Sequence, residues 1–585
     1  MLDELANGES MTLCLPQSQS LFGRLFAFRR FAGLAWPAAI LLAAVASQVL
    51  CGAIGDVSWL ITVDEHWLTG ARPYVDIIET DPPGALLLYL PAAAIARLTG
   101  LKAEALVAAS GFAVAIGSLA LSAAVLTPVR LNRRLNRTSL GLALVATTVL
   151  PGRAFDERDF FAALFGLPLI AIAAARASRG PVGFPHALAA GVGAGAMIAV
   201  KPPYALVLVA LASYLLTRLG LREALAAVEF IVAAVVAAAF VAAFYLVFPE
   251  YVTQVAPVFA EAYLPQRLPL AALAANAGVL VGLVIVASIA ACAGSRALTP
   301  LVLTPMVAAF GAFAAYFVQG KGWLYQAYPG LAYLTFAFAA ALATRPADGA
   351  ATTAMAAVGL VSALLAGAVG RWPVQIGMAA AIAGFAIYVA FVDPRAFTED
   401  RPRRQALGRM AAAAGIGVLA ALFLQSPHGE SDPAMERALK TLGPHPTVAA
   451  LSESLAVGHP LTRRVGAVWS QRTQGLTFAA AARFRAAQTP GDADLAARME
   501  AAIASDRDML VEDIVRNRPD AILVGPTNTR FHAWVWADPK IVAAMTDYRL
   551  LATNDDKATP LEIWARKDFF PPLPSPPAAP AGRGG

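Results

Sequence analysis

The sequence predicts a mostly α, polytopic membrane protein that ends in a small α/β domain. Three observations predict it. Of 585 residues, 58% are hydrophobic and only 14% charged, against about a quarter charged in an ordinary globular chain. Apolar segments of near-spanning length recur as far as residue 425. Beyond that point charged residues become frequent and the long apolar runs stop. The net charge of +6 comes from short arginine clusters between apolar runs, with no basic stripe interleaved with aromatics, so nucleic acid is not an expected partner. Cys14, Cys51 and Cys292 form no CxxC and support neither a disulfide framework nor a zinc site.

Residues 1–30 are polar, end in Arg24, Arg29 and Arg30, and read as a cytoplasmic segment. The apolar run from Phe31 to Ile54 is longer than a signal h-region and reads as the first transmembrane helix. It opens a transmembrane domain over 31–425. Spans are expected at 32–54, 103–126, 138–151, 159–176, 187–200, 204–217, 223–248, 271–292, 298–318, 325–343, 352–370, 374–392 and 408–425, about thirteen in all. The segment 84–99 is short, contains Pro91 and ends in Arg97, and reads as an interfacial or partly inserted helix.

Lys and Arg in short loops orient such a chain. Basic stretches at Val129–Arg137, 175–180, 217–223, 294–296 and 393–405 are expected in the cytoplasm. The loops 55–83, 152–158, Lys201–Tyr204, 249–270 and Gln319–Pro329, with the turn Arg371–Pro373, then face the periplasm. These outer loops hold nearly all the unusual polar and aromatic residues. Residues 426–568 are expected on the same side as an α/β domain. TVAALS (447–452), AILVG (521–525) and LEIWARK (561–567) read as strands, 493–516 as an amphipathic helix, and 541–552 as a helix followed by a strand. The Pro-rich stretch 569–585 reads as a disordered tail.

The loop 55–83 carries the strongest chemical signal. Val63–Pro83 holds Asp64, Glu65, Asp76, Glu79 and Asp81, with Asp56 just ahead. Carboxylates beside a bilayer are costly unless they act there. Solvated loop charges are the plainer alternative. Asp64 and Glu65 sit in a stretch of helical character, where neighbours diverge by about 100°, so only one can aim at a given substrate atom. His66 stands beside the pair, and the six histidines show no metal-ligand spacing.

A second charged stretch, Arg153, Asp156, Glu157, Arg158 and Asp159, lies at the mouth of an apolar helix. Capping that helix is the simpler role for its acids. Lys201 stands before Pro202-Pro203 and suits a phosphate, or snorkels at the interface. Lys321 lies between two glycines, which let the backbone approach a ligand. Trp323, Tyr325 and Tyr328 suit a sugar face or an aromatic belt. Arg267 and Arg371 are cations of the same kind. No Walker motif, dinucleotide fingerprint or nucleophile elbow is present.

The order Asp64-Glu65, Gly70-x-x-Pro73-Tyr74-x-Asp76 and Asp81-Pro82-Pro83 before an apolar helix resembles the first periplasmic loop of the GT-C glycosyltransferases. These are polytopic enzymes that use polyprenyl-phosphate sugars, among them protein mannosyltransferases and aminoarabinose–lipid A transferases. The resemblance is strongest over residues 32–220. It implies a glycosyltransferase of the bacterial inner membrane, with a polyprenyl-phosphate sugar as donor, a lipid or glycan of the envelope such as lipopolysaccharide as acceptor, and membrane lipids around it. Asp64 matches the catalytic base, with Glu65 next. Asp156 and Glu157 fit an acceptor or metal site, and Lys201, Lys321 and Arg158 the donor phosphate. Tyr74, Trp323 and Tyr325 fit sugar or lipid contacts. Mg or Mn is a candidate cofactor.

The residue types suit that chemistry. An acceptor hydroxyl must lose a proton as it attacks the anomeric carbon, which a carboxylate can take. The leaving phosphate needs cations or donors. One carboxylate acting opposite the leaving group implies inversion, unlike the two-carboxylate glycosidases. A transporter or flippase of lipid-linked saccharides is the alternative, but it calls for ionisable residues near midplane and paired broken helices. A catalytically inactive relative is a third reading.

Overall fold

The structure, a computed structural model, describes residues 21–128, 137–293, 299–344, 349–392, 401–425, 432–554 and 560–570. The basic stretches at 129–136 and 294–296, part of 393–405, and the tail beyond 570 lie outside the described residues.

Every expected apolar segment falls on a helix. Among the described residues, eight helices are long and apolar enough to cross a membrane, or nine if one bent pair counts as a single span. Four more apolar helices are shorter: 83–99, 138–149, 184–200 and 277–293. The chain is a multi-pass membrane protein. The segment 84–99 is one of the short ones: helix α3, Pro83–Thr99, has 17 residues and a length of about 26 Å.

The bent pair builds the site. Helix α1, Leu21–Cys51, has 31 residues and is about 46 Å long, more than the bilayer core requires. It stops at Gly52, whose φ of +65° suits glycine. The chain then turns by 74° into helix α2, Gly55–Leu68. Much of the expected loop 55–83 is therefore helix, and α2 lies across the direction of the span.

Helix α3 starts on Pro82-Pro83, where a missing N–H costs nothing. It crosses helix α7, Phe184–Val200, so closely that a Cβ on Gly84 would sit 2.1 Å from the Ala199 carbonyl oxygen. Helix α4, Ala103–Leu126, helix α5, Arg137–Leu144, and helix α6, Arg158–Ala177, follow the same core. α6 is buried along nearly its whole length and forms the axis of the bundle, whereas Val228–Val247 is buried almost nowhere and faces outward. Helix α8, Ala205–Leu219, follows the Lys201–Tyr204 corner. The expected loop 249–270 holds two π-helical turns, Tyr251–Val255 and Phe259–Tyr263, on either side of Pro257.

The C-terminal domain carries a five-stranded sheet in the order β2-β1-β3-β5-β4. The strands are β1 Thr447–Ser452, β2 Val468–Trp469, β3 Ala521–Gly525, β4 Tyr548–Thr553 and β5 Glu562–Arg566. β1 is parallel to β2 and β3, with Ala450 opposite Leu523, and β5 runs antiparallel to β3 and β4. The two-residue β2 is too short to show a pattern in sequence. After β1 the chain makes two short helical turns, Leu455–Gly458 and Leu461–Val465, which lie against α2.

Candidate active site

Asp64 points into the interior from α2. It is fully buried, and neither carboxylate oxygen has a hydrogen-bond partner among the described residues. Burial, reinforced by Glu65 and Glu79, pushes its carboxyl up to about 9. Glu65, one step round the helix, turns the other way. Both of its oxygens accept from Arg463 of the C-terminal domain, at 2.7 and 2.9 Å.

The loop after α2 leads from Asp64 to a second charged group. Trp59 on α2 donates its indole N–H to Glu79. Glu79 is buried, which raises its carboxyl above the usual range, and it accepts from the Asp81 backbone at 2.8 Å. The Tyr74 hydroxyl donates to the Asp81 carbonyl at 2.9 Å. The Asp81 carboxylate then pairs with Arg158, the first residue of α6.

Around Arg158 four carboxylates share two cations. Arg158 lies 3.8 Å from Asp56 as well as on Asp81. Asp159 pairs with Lys201 at 2.5 Å and accepts from the Tyr204 hydroxyl. Lys201 stands 5.4 Å from the centre of the Tyr325 ring, close enough for a cation–π attraction. The Tyr325 hydroxyl reaches Asp56 at 3.5 Å. Glu157 is buried and has one oxygen without a partner. Its carboxyl is pushed up by burial and then by Asp56. The N-terminus of α6 favours the acids beside it.

The sequence candidates separate in space. Asp64, Glu157, Arg158, Lys201, Tyr74 and Tyr325 belong to this connected region. Asp156 turns away from it: its φ is +71°, and its side chain lies so close to Gly111 on α4 that a Cβ there would be 2.5 Å from Oδ1. Burial alone raises its carboxyl. Lys321 is tied to the carbonyls of Tyr263 and Gln266 at 2.8 and 2.7 Å, with its ammonium 3.7 Å from the Tyr263 ring centre. Burial brings it down to about 8. Trp323 packs on Tyr325 with ring centres 5.5 Å apart. Arg267 donates to the Phe317 carbonyl at 2.7 Å. Among the described residues no group of three or more His, Cys, Asp and Glu is placed to hold a metal ion.

Sequence reasoning gave no chemical role to Asp56, Glu79, Asp81, Tyr204, His459 or Arg463. The first three lay in the acidic stretch and were legible as charges, and Tyr204 follows the Lys-Pro-Pro corner. Arg463 stands 398 residues from Glu65 and carries no local signal.

Neither a protein-family model nor a curated protein matches the sequence. Two solved structures do match in shape. ArnT from Cupriavidus metallidurans in the apo state has a TM-score of 0.51 at 16% identity, over 93% of this chain and 100% of that one. The same protein bound to undecaprenyl phosphate has a TM-score of 0.52 at 14% identity, over 95% and 100%. At these identities the likeness is one of fold: the chain shares the overall architecture of these structures, a mostly helical membrane protein with a small C-terminal sheet.

Proposed function

We propose that the chain is a membrane glycosyltransferase that moves a sugar from a polyprenyl-phosphate donor to an acceptor of the bacterial envelope, at the periplasmic face of the inner membrane and with inversion. The observation that carries this reading is Asp64. It is a buried carboxyl with no hydrogen-bond partner among the described residues, within electrostatic reach of Glu79, which the Asp81 backbone links to the Asp81–Arg158 pair; the next residue, Asp159, holds Lys201. The fold supports it, since one of the similar structures is bound to undecaprenyl phosphate.

In this reading Asp64 takes the proton of the attacking hydroxyl. A carboxyl held near 9 is a strong base once ionised, although only about one molecule in a hundred is ionised at pH 7. Arg158 and Lys201 balance the charge that develops on the departing phosphate, and Lys321 flanks them from the Tyr263 segment. Glu157 lies on the acceptor side, with Asp156 fixing the turn before α6. Trp323 is exposed and offers a face to sugar or lipid, whereas Tyr74 and Tyr325 are buried and serve by packing beneath the site. The N-terminus is then cytoplasmic and the C-terminal domain periplasmic. The test is sugar release from a panel of undecaprenyl-phosphate-linked hexoses and pentoses by purified protein, with Asp64→Asn alongside. Turnover by the wild type that Asp64→Asn abolishes supports the reading; equal turnover by both sinks it.

A further inference from the structure

The C-terminal domain grips α2 along its whole length through one short segment, Leu455–Val465. At the N-terminal end, a Cβ on Gly52 would meet the Arg464 guanidinium at 3.3 Å, and one on Gly55 would meet the His459 carbonyl at 3.0 Å. In the middle, His459 packs between Trp59 and Trp469, with ring centres 5.3 and 4.7 Å away, and its Nε2 lies 3.3 Å from the Thr62 hydroxyl. Burial lowers its imidazole to about 3, so the ring is neutral. At the C-terminal end Arg463 takes both oxygens of Glu65 in its fork, and its Nε binds Glu104 at the start of α4 at 2.5 Å.

We infer that Arg463, backed by His459, is a positioning residue: it fixes the roll of α2 and so aims Asp64 at the substrate. The kinetic part rests on the glycosyl-transfer reading above. Both Glu65 oxygens and Glu104 converge on one guanidinium, so α2 is tied to α4 and to the C-terminal domain at once. A bidentate arginine fork specifies direction as well as distance. A carboxylate stands about 6 Å from its helix axis, so a roll of about 10° moves it about 1 Å. A displacement of that size costs on the order of 10²-fold in rate. Arg463 also neutralises the nearest charge to Asp64. The ionisable groups around Asp64 are Glu65 on its own helix and Glu79 and Tyr74 from the loop. Arg463, Glu104, His459 and His66 stand around Glu65. Removing Arg463 exposes Asp64 to an uncompensated Glu65.

The test uses full-length protein in lipid nanodiscs as wild type, Arg463→Gln, Arg463→Lys, Glu65→Gln and the Glu65→Gln/Arg463→Gln double variant. Two readouts need no turnover: hydrogen exchange of residues 55–68, and infrared titration of the Asp64 carboxyl assigned by subtracting Asp64→Asn. The third is kcat, KM and their pH dependence with whichever undecaprenyl-phosphate-linked sugar the wild type turns over. Arg463→Gln is expected to speed exchange in 55–68 and to lower kcat about 10²-fold, with KM within about threefold. It also moves the acid limb and the Asp64 titration up by about one pH unit. The double variant brings the titration back down but leaves kcat low, and Arg463→Lys, which keeps the charge but not the fork, recovers part of kcat. Unchanged exchange and titration in Arg463→Gln overturn the inference. So does an upward shift that persists in the double variant. If Arg463→Gln does not fold, Glu65→Gln opens the same fork from the other side. Absence of wild-type turnover on every donor counts against the glycosyl-transfer reading, while exchange and titration still decide the role of Arg463.

Discussion

Arg158, the first residue of the central helix α6, is paired with Asp81, two residues before the start of α3. The pair joins the two charged stretches of the sequence and lies where α3 begins. Breaking a buried pair by removing one partner leaves the other charge uncompensated and costs about 3–5 kcal/mol. Arg158→Leu should therefore lower the thermal midpoint in detergent strongly. Asp81→Asn leaves a cation with Asp56 still beside it and should lower the midpoint less. Equal midpoints for the two variants would contradict this asymmetry.

Lys201 pairs with Asp159 and lies over Tyr325. A charge-assisted contact to phosphate is worth about 1.5–3 kcal/mol, or about 10–100-fold in affinity. Lys201→Met should raise KM for an undecaprenyl-phosphate-linked sugar by that factor. Steady-state kinetics over a donor series checks it, and an unchanged KM removes Lys201 from the phosphate site.

In the glycosyl-transfer reading Asp64 sets the pH dependence. A base held up to about 9 is mostly protonated at neutral pH. The rate kcat/KM should then climb about tenfold per pH unit from pH 6 to pH 8 and bend near 9. Asp64→Asn should lose this slope and, at pH 9, about 10²–10⁴-fold in rate. A flat profile across this range would remove Asp64 as the titrating base.

The same carboxyl weighs on stability, with a definite sign. Its folded pKa lies above its unfolded value, so the folded state binds the proton more tightly. Stability is untouched at low pH and falls as pH rises from about 4 towards 9. Asp64→Asn removes that penalty. The variant should melt higher than the wild type, by a margin that widens from pH 5 to pH 9. Thermal melts at several pH values measure the margin, and a constant or reversed gap refutes it.

Gly84 tests the packing of α3 on α7. A Cβ there would fall 2.1 Å from a backbone oxygen, and backbone cannot swing aside as a side chain does. Gly84→Ala should cost about 1–3 kcal/mol and broaden the size-exclusion peak. A sharp peak with an unchanged melting point would show that the two helices separate without cost.

The helices of the membrane domain were legible because hydropathy is a property of each segment alone, the strands β1 and β3 because they are short apolar runs, β5 because its residues alternate, and β4 because the stretch 541–552 reads as a short helix followed by a strand. Asp64 stood out in the sequence as a charge beside Glu65 and ahead of Gly70. What separated the acidic pair was not. Helical geometry says that Asp64 and Glu65 diverge, but only the fold reveals that one meets apolar interior and the other meets Arg463. Asp156 illustrates the converse. Its residue type and position suited a site, yet the turn before α6 directs its side chain against Gly111. The start of α2 at Gly55 was missed because Gly52, Gly55 and Asp56 interrupt the apolar run, so helical character was read only in the stretch around Asp64 and Glu65.

The distance along the chain between Glu65 and Arg463 also orders events in time. The ribosome adds about 5–20 residues per second, so the 398 residues between them take about 20–80 s to make. Throughout that interval α2 has its membrane neighbours but not its clamp. The C-terminal domain must be made and folded before α2 has Arg463 to hold Glu65. The clamp on α2 therefore closes only after nearly all of the membrane helices have been made.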